Sequence, residues 1–144
     1  MAKQNIYDNE IFFEGYNKIR DNELNANILF EIPALFSMMP DLKGKKVLDL
    51  GCGFGEHCMR LIHDGAGQVI GIDISEKMLE IARKENSDSK ITYINMPMED
   101  IAQLNERFDI VISSLAFHYV EDFSGVVNIY TSFHTFLVFY IVIK

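Results

Sequence analysis

Val47-Leu48-Asp49-Leu50-Gly51-Cys52-Gly53-Phe54-Gly55 changes character abruptly: a short apolar run meets glycines at three alternate positions. Glycine has no Cβ and tolerates positive φ, so the chain can turn sharply there and a ligand can approach the backbone. The residues that follow, Glu56 to about Ile62, have helical spacing. A helix leaves unpaired N–H groups at its start. Strand, glycine turn and helix start together form a unit suited to holding a ligand at the edge of a parallel sheet.

The pattern repeats downstream. A turn at Gly65–Gly67 leads into a second strand, Val69-Ile70-Gly71-Ile72, closed by Asp73. Ser75 is a good N-cap for a helix through Glu85, with Glu76 favourably placed at its positive end. Ile91–Ile94 reads as a third strand, Phe108–Ile112 as a fourth, residues 122–133 as a helix and Leu137–Ile143 as a fifth strand. Upstream, residues 8–20 and 24–38 show helical periodicity, with a kink or break expected at Pro33 and a polar connector over Asp41–Lys46. Strands alternating with helices imply an α/β fold: a Rossmann-like, mostly parallel sheet with helices on both faces. The N-terminal helices are expected to pack across the sheet's carboxyl edge, capping the ligand site. Residues 1–144 are read as one domain, an N-terminal helical cap over 1–40 followed by the Rossmann-like core over 41–144.

Composition narrows the partners. The chain has 144 residues, 49% hydrophobic and 24% charged, with 13 basic against 21 acidic side chains and a formal charge of −8. A nucleic-acid surface needs clustered Lys and Arg, and no basic run is longer than Lys45-Lys46. No nucleic-acid partner is expected. Cys52 and Cys58 have the spacing of neither a disulfide framework nor a zinc site, and His57, His63 and His134 show no metal-ligand pattern, so no metal is expected. The N-terminus lacks a signal-peptide core, and the apolar tail Phe136–Ile143 is far shorter than the roughly 20 residues that span a bilayer. The expectation is a cytoplasmic protein without a membrane partner.

Two ligand classes use a glycine turn of this kind. The dinucleotide fingerprint G-x-G-x-x-G sets a pyrophosphate over the helix start. Here the third glycine comes one residue early, at Gly55, and Glu56 would repel a pyrophosphate, as would Asp49. Acidic side chains suit a cationic ligand better. V-L-D-x-G-x-G-x-G at 47–55 resembles the first motif of the class I S-adenosylmethionine-dependent methyltransferases, type 11-like, whose cofactor carries a sulfonium and an ammonium. Asp73, 22 residues past Gly51, resembles the family's acid at the end of the second strand, which takes both ribose hydroxyls. It is also a reasonable helix-capping residue.

The resemblance implies further roles. Asp49, Gly51, Gly53 and Gly55 would form the cofactor turn, and Ile74 would lie near the adenine. Met98 and Glu99 would meet the adenine edge, although Pro97 stands where the family often has Asp. Backbone around Ser113 and Ser114 would lie beside the methionine part, with His118 and Tyr119 toward the substrate. Tyr16 and Arg20, four residues apart and so on one helix face, would cover the cofactor and clamp its carboxylate. S-adenosylhomocysteine would be the product. Methyl transfer needs no obligatory acid or base, so no catalytic residue is assigned; His118 could serve a hydroxyl or amine acceptor.

The end of the chain departs from the family's pattern. Phe133–Phe139 lacks the glycine turn that usually precedes the fifth strand, and there is no room for the last two strands before Lys144. The expectation is a truncated chain with its final strands missing and an apolar edge prone to self-association. Two functions follow: methyl transfer to a small-molecule acceptor, or a non-catalytic or degenerate cofactor-binding domain.

Overall fold

The computed structural model describes residues 5–20, 32–114, 124–125, 128 and 136–140. Its strands are β1 (Lys46–Leu50), β2 (Gln68–Asp73), β3 (Ile91–Asn95), β4 (Ile110–Ser114) and β5 (Phe136–Tyr140). Its helices are α1 (Glu10–Arg20), α2 (Ile32–Ser37), α3 (Glu56–His63) and α4 (Glu76–Glu85), with 3-10 turns at Ile6–Asp8 and Met98–Leu104. The strands form one sheet in the order β3-β2-β1-β4-β5, and every pairing is parallel.

A parallel strand covered on both faces has no solvent side, so apolar residues run on without alternation. β1 shows this: Val47, Leu48 and Leu50 are fully buried. Val47, Val69, Ile110 and Ile112 pack on one face with Leu35 of α2, Cys58 and Leu61 of α3 and Leu79 of α4. Leu48, Leu50, Ile70, Ile72 and Val111 pack on the other with Ile101 and Phe108. The 3-10 turn Met98–Leu104 therefore covers the second face among the described residues. Gly71 allows the first face to close. A Cβ there would come within 2.9 Å of the sulfurs of both Cys52 and Cys58.

Several boundaries move from the sequence expectation. β4 begins at Ile110 rather than Phe108 and continues through Ser113 and Ser114. Asp109 is drawn to the amino end of β1, where its carboxylate accepts from the Lys46 N–H at 2.9 Å. Ser113 extends the strand because its hydroxyl donates to the Leu50 carbonyl at 3.0 Å, which removes the cost of burying it. Pro33 falls in the first turn of α2, where a missing N–H breaks no helix bond. The remainder of the helix expected over 24–38 before residue 32, most of the helix expected over 122–133, and residues 141–143 of the expected fifth strand lie outside the described residues. Among those described, no helix is long and apolar enough to cross a membrane.

Candidate functional site

The strand order reverses between β1 and β4. Open parallel sheets bind ligands outside the carboxyl ends of their strands at such a switch point. Here that edge carries the glycine turn after β1, Ser113 and Ser114 at the end of β4, and Asp73 at the end of β2. Gly51, Gly53 and Gly55 have φ values of 70°, 54° and 80°. These are left-handed conformations that side chains with a Cβ adopt at a cost. The Cys52 N–H donates to the Ile72 carbonyl at 2.9 Å, carrying the sheet one residue past β1, and the Gly55 N–H closes the turn on the Cys52 carbonyl at 3.0 Å. Gly55 is also the N-cap residue of α3.

Asp73 organises the edge. One carboxylate oxygen accepts from the Gly53 N–H at 2.9 Å and the other from the Ser75 N–H at 2.8 Å. Burial, and to a lesser extent the nearby Asp8, push its pKa up, and the backbone N–H groups of Ser75, Gly53 and Ile74 oppose that shift. An ionised carboxylate has about four acceptor positions, so the side chain keeps acceptor capacity for a further donor such as a hydroxyl. The capping and ligand-binding readings of Asp73 are thus compatible in one side chain. Ser75 is the N-cap of α4, accepting from the Met78 N–H at 3.3 Å.

The N-terminal segment fastens onto the same edge. The Ser75 hydroxyl donates to Asp8 Oδ1 at 2.5 Å, and the Asn5 side-chain amide donates to the Ile74 carbonyl at 3.0 Å and to Asp8 Oδ2 at 2.7 Å. Tyr16 of α1 stacks on Phe54 of the glycine turn, ring centroids 5.8 Å apart. The expected packing of an N-terminal helix over the carboxyl edge is present at these contacts. The Arg20 side chain, His118 and Tyr119 lie outside the described residues.

The other expected residues differ in their surroundings. Asp49 does not offer a free charge at the edge: its carboxylate is fully buried, with the Cys58 thiol donating at 3.5 Å. Desolvation raises its pKa to about 7, partly offset by that thiol. Its position in β1 sends it to the α3 face, which the motif alone does not reveal. The Ser113 hydroxyl is committed to the Leu50 carbonyl, leaving Ser114 half-buried at the strand end. Ile74 and Glu99 are half-buried, and Met98 packs against the second-face core. The loop after β3 is tied to Asp73 by the Met96 N–H on its carbonyl at 2.9 Å and the Asn95 amide at 3.1 Å. Three residues that the sequence does not mark as part of the site also shape this edge: Asp8 at the start of α4, and Asn86 and Tyr93 at the glycine turn. Their partners are distant in sequence, so no local motif marks them.

A family described as "methyltransferase domain" matches residues 41–143. An uncharacterized protein of Haemophilus influenzae is 45% identical over 127 residues, covering 84% of this chain and 50% of its own length. An S-adenosylmethionine-dependent methyltransferase from Mesorhizobium loti shares the fold at a TM-score of 0.65 and 37% identity, over 76% of this chain and 51% of that one. Magnesium protoporphyrin IX methyltransferase from Synechocystis, solved with S-adenosylmethionine bound, gives 0.69 at 25% identity, over 88% and 68%. Other relatives are named for tRNA, for protein arginine and for a malonyl-acyl-carrier protein, so the family does not select the acceptor. The chain spans about half the length of the first of these curated relatives, and less of the others. The glycine turn, the acid that ends β2 and the strand order accord with the neighbours of this fold, which are S-adenosylmethionine-dependent methyltransferases, and the chain belongs to the methyltransferase-domain family.

Proposed function

We propose that this chain transfers the methyl group of S-adenosylmethionine to a small-molecule acceptor, using the carboxyl edge around Asp73 as its cofactor site. The observation that carries the reading is the coupling of Asp73 to the glycine turn through the Gly53 N–H. It sets a carboxylate with spare acceptor capacity beside open backbone: among the described residues, a Cβ at Gly53 would meet only the Met78 sulfur, at 3.5 Å. Such a donor and acceptor set fits a nucleoside whose ribose offers two hydroxyls.

When bound, the cofactor supplies an activated methyl on a sulfonium, so the difficult chemistry is its own. The chain's residues would orient it and exclude water. Asp73 would take the ribose hydroxyls, Ile74 would flank the adenine, and Met98 and Glu99 would meet its edge. Gly51, Gly53 and Gly55 would let the methionine part approach the turn, with backbone at Ser113 and Ser114 beside it. Buried beneath the turn, Asp49 would act through the turn's shape. Tyr16, stacked on Phe54, and Arg20 would cover the ligand, while His118 and Tyr119 would face the acceptor. The net charge of −8 and the lack of a basic run longer than Lys45-Lys46 support a small molecule over a polyanion.

The test is calorimetric titration with S-adenosylhomocysteine, with NAD as control. The parent chain is expected to bind S-adenosylhomocysteine saturably and not NAD, and Asp73→Ala to weaken binding at least about a hundredfold, since two charge-assisted hydrogen bonds are removed. Binding of NAD instead, or unchanged affinity in a folded Asp73→Ala variant, refutes the site. Turnover against hydroxyl, amine and carbon acceptors then separates an active enzyme from a domain that only binds.

A further inference from the structure

The glycine turn is braced from behind by two residues outside the family motif. Asn86, which ends α4, donates from its side-chain amide to the Phe54 carbonyl at 2.8 Å. The Tyr93 hydroxyl, on edge strand β3, donates to the backbone carbonyl of Asn86 at 2.6 Å and lies 3.5 Å from the Gly55 carbonyl. The Tyr93 ring fills the space beneath Gly55, where any Cβ would fall on the ring and its hydroxyl. A line of contacts therefore runs from β3, through the end of α4, to the middle of the turn.

The turn needs such support. Its three glycines all sit at positive φ, and glycine loses more conformational freedom on ordering than any other residue. Phe54, between two of them, is the seat on which Tyr16 of α1 stacks. A binding site populated only part of the time binds with an affinity reduced by that fraction. Groups that hold the turn in one shape thus strengthen binding without touching the ligand.

We infer that Tyr93, acting through Asn86, is a positioning residue for the cofactor turn, holding Phe54 and Gly55 in the shape that receives the ligand. The inference rests on the proposed reading of the turn as the S-adenosylmethionine site. It goes beyond that reading in giving β3 a part in cofactor affinity.

Tyr93→Phe removes one hydroxyl and keeps the ring. It is expected to weaken S-adenosylhomocysteine binding about tenfold, the loss matching one buried hydrogen bond. Hydrogen exchange should show the Gly55 amide opening faster than the loss of global stability accounts for, with amides of β1 tracking global stability alone. Asn86→Ala, which also serves if Tyr93→Phe folds poorly, is expected to act in the same direction. The double variant should lose less than the two single losses combined, because the groups act in series. Parent-like affinity in Tyr93→Phe with only a lowered melting temperature, uniform acceleration of exchange, or fully additive losses in the cycle would each overturn the inference. The Gly55 amide reports on the brace without any ligand. Failure of the parent chain to bind is therefore distinguishable: it overturns the cofactor reading, and with it this inference.

Discussion

Asp49 and Asp73 are both acids of the recognisable motif, and their surroundings separate them. Asp73 ends β2 with both oxygens held by backbone N–H groups. Asp49 lies inside β1, wholly buried beside Cys58, with its pKa raised by desolvation to about 7. A raised acid pKa means that the folded state holds the proton more tightly than the unfolded chain, where the value is 3.8. Its stabilising effect is complete below pH 3.8 and is lost as pH rises through about 7. The slope reaches at most about 1.4 kcal/mol per pH unit. Asp49→Asn keeps the shape and an acceptor for Cys58 while removing the ionisation. Chemical denaturation should find the variant more stable than the parent at pH 8, by roughly 1–3 kcal/mol, with the gain shrinking toward pH 4.5. A pH-independent difference would show that the carboxylate keeps a normal pKa. Such a contrast is hidden from a sequence, because Asp49 and Asp73 carry the same letter and only the strand's packing decides which is desolvated. The glycines were legible because their requirement is local; Asn86 and Tyr93 were not, because they meet Phe54 and Gly55 from distant positions.

At the scale of elements, legibility follows how locally each one is specified. α4 runs from Glu76 to Glu85 behind its Ser75 cap, matching the helix read from its capping residue. β2 keeps its apolar run and its terminal acid. β4 shifted by two residues because side-chain bonds at both ends override its hydrophobic pattern: Asp109 to the Lys46 N–H before it, and Ser113 to the Leu50 carbonyl within it. The sequence places an N-terminal helix across the carboxyl edge but does not mark the 3-10 turn, Ile6–Asp8, that precedes it. That turn is fixed by Asp8, whose carboxylate accepts from the Ser75 hydroxyl and, at 3.4 Å, from the Lys77 N–H at the start of α4. Asp8 thus reinforces the cap and supplies negative charge to the positive helix end. Ser75→Ala should cost about 1 kcal/mol of global stability, as lost caps do. Asp8→Ala should cost less globally yet loosen the segment. Limited proteolysis should then cleave within residues 5–20 several times faster than in the parent, with the 41–114 core resisting equally in both. Equal cleavage rates would show that the aromatic contacts of α1, and not Asp8, hold the segment.

For the whole molecule, the two edges that the sheet has among the described residues differ in kind. β3 is one edge, and its burial is only partial, with Thr92 and Asn95 exposed. β5 is the other, bonded to β4 on one side, with the sequence Phe136-Leu137-Val138-Phe139-Tyr140. Polar residues on an edge discourage pairing between molecules, whereas an apolar, β-branched and aromatic edge invites it. On the sequence of β5, self-association through this strand is expected. The overall charge of −8 opposes this at long range, but added salt screens it. Sedimentation velocity should show the weight-average mass rising as concentration is raised from micromolar to hundreds of micromolar, and rising further with salt. Val138→Lys, placing a charge on the strand, should reduce the association without altering affinity for S-adenosylhomocysteine, because the cofactor turn lies after β1 and not on β5. A monomer across the whole range would mean that residues outside those described already cover the β5 edge, and the argument from an open apolar edge would fail.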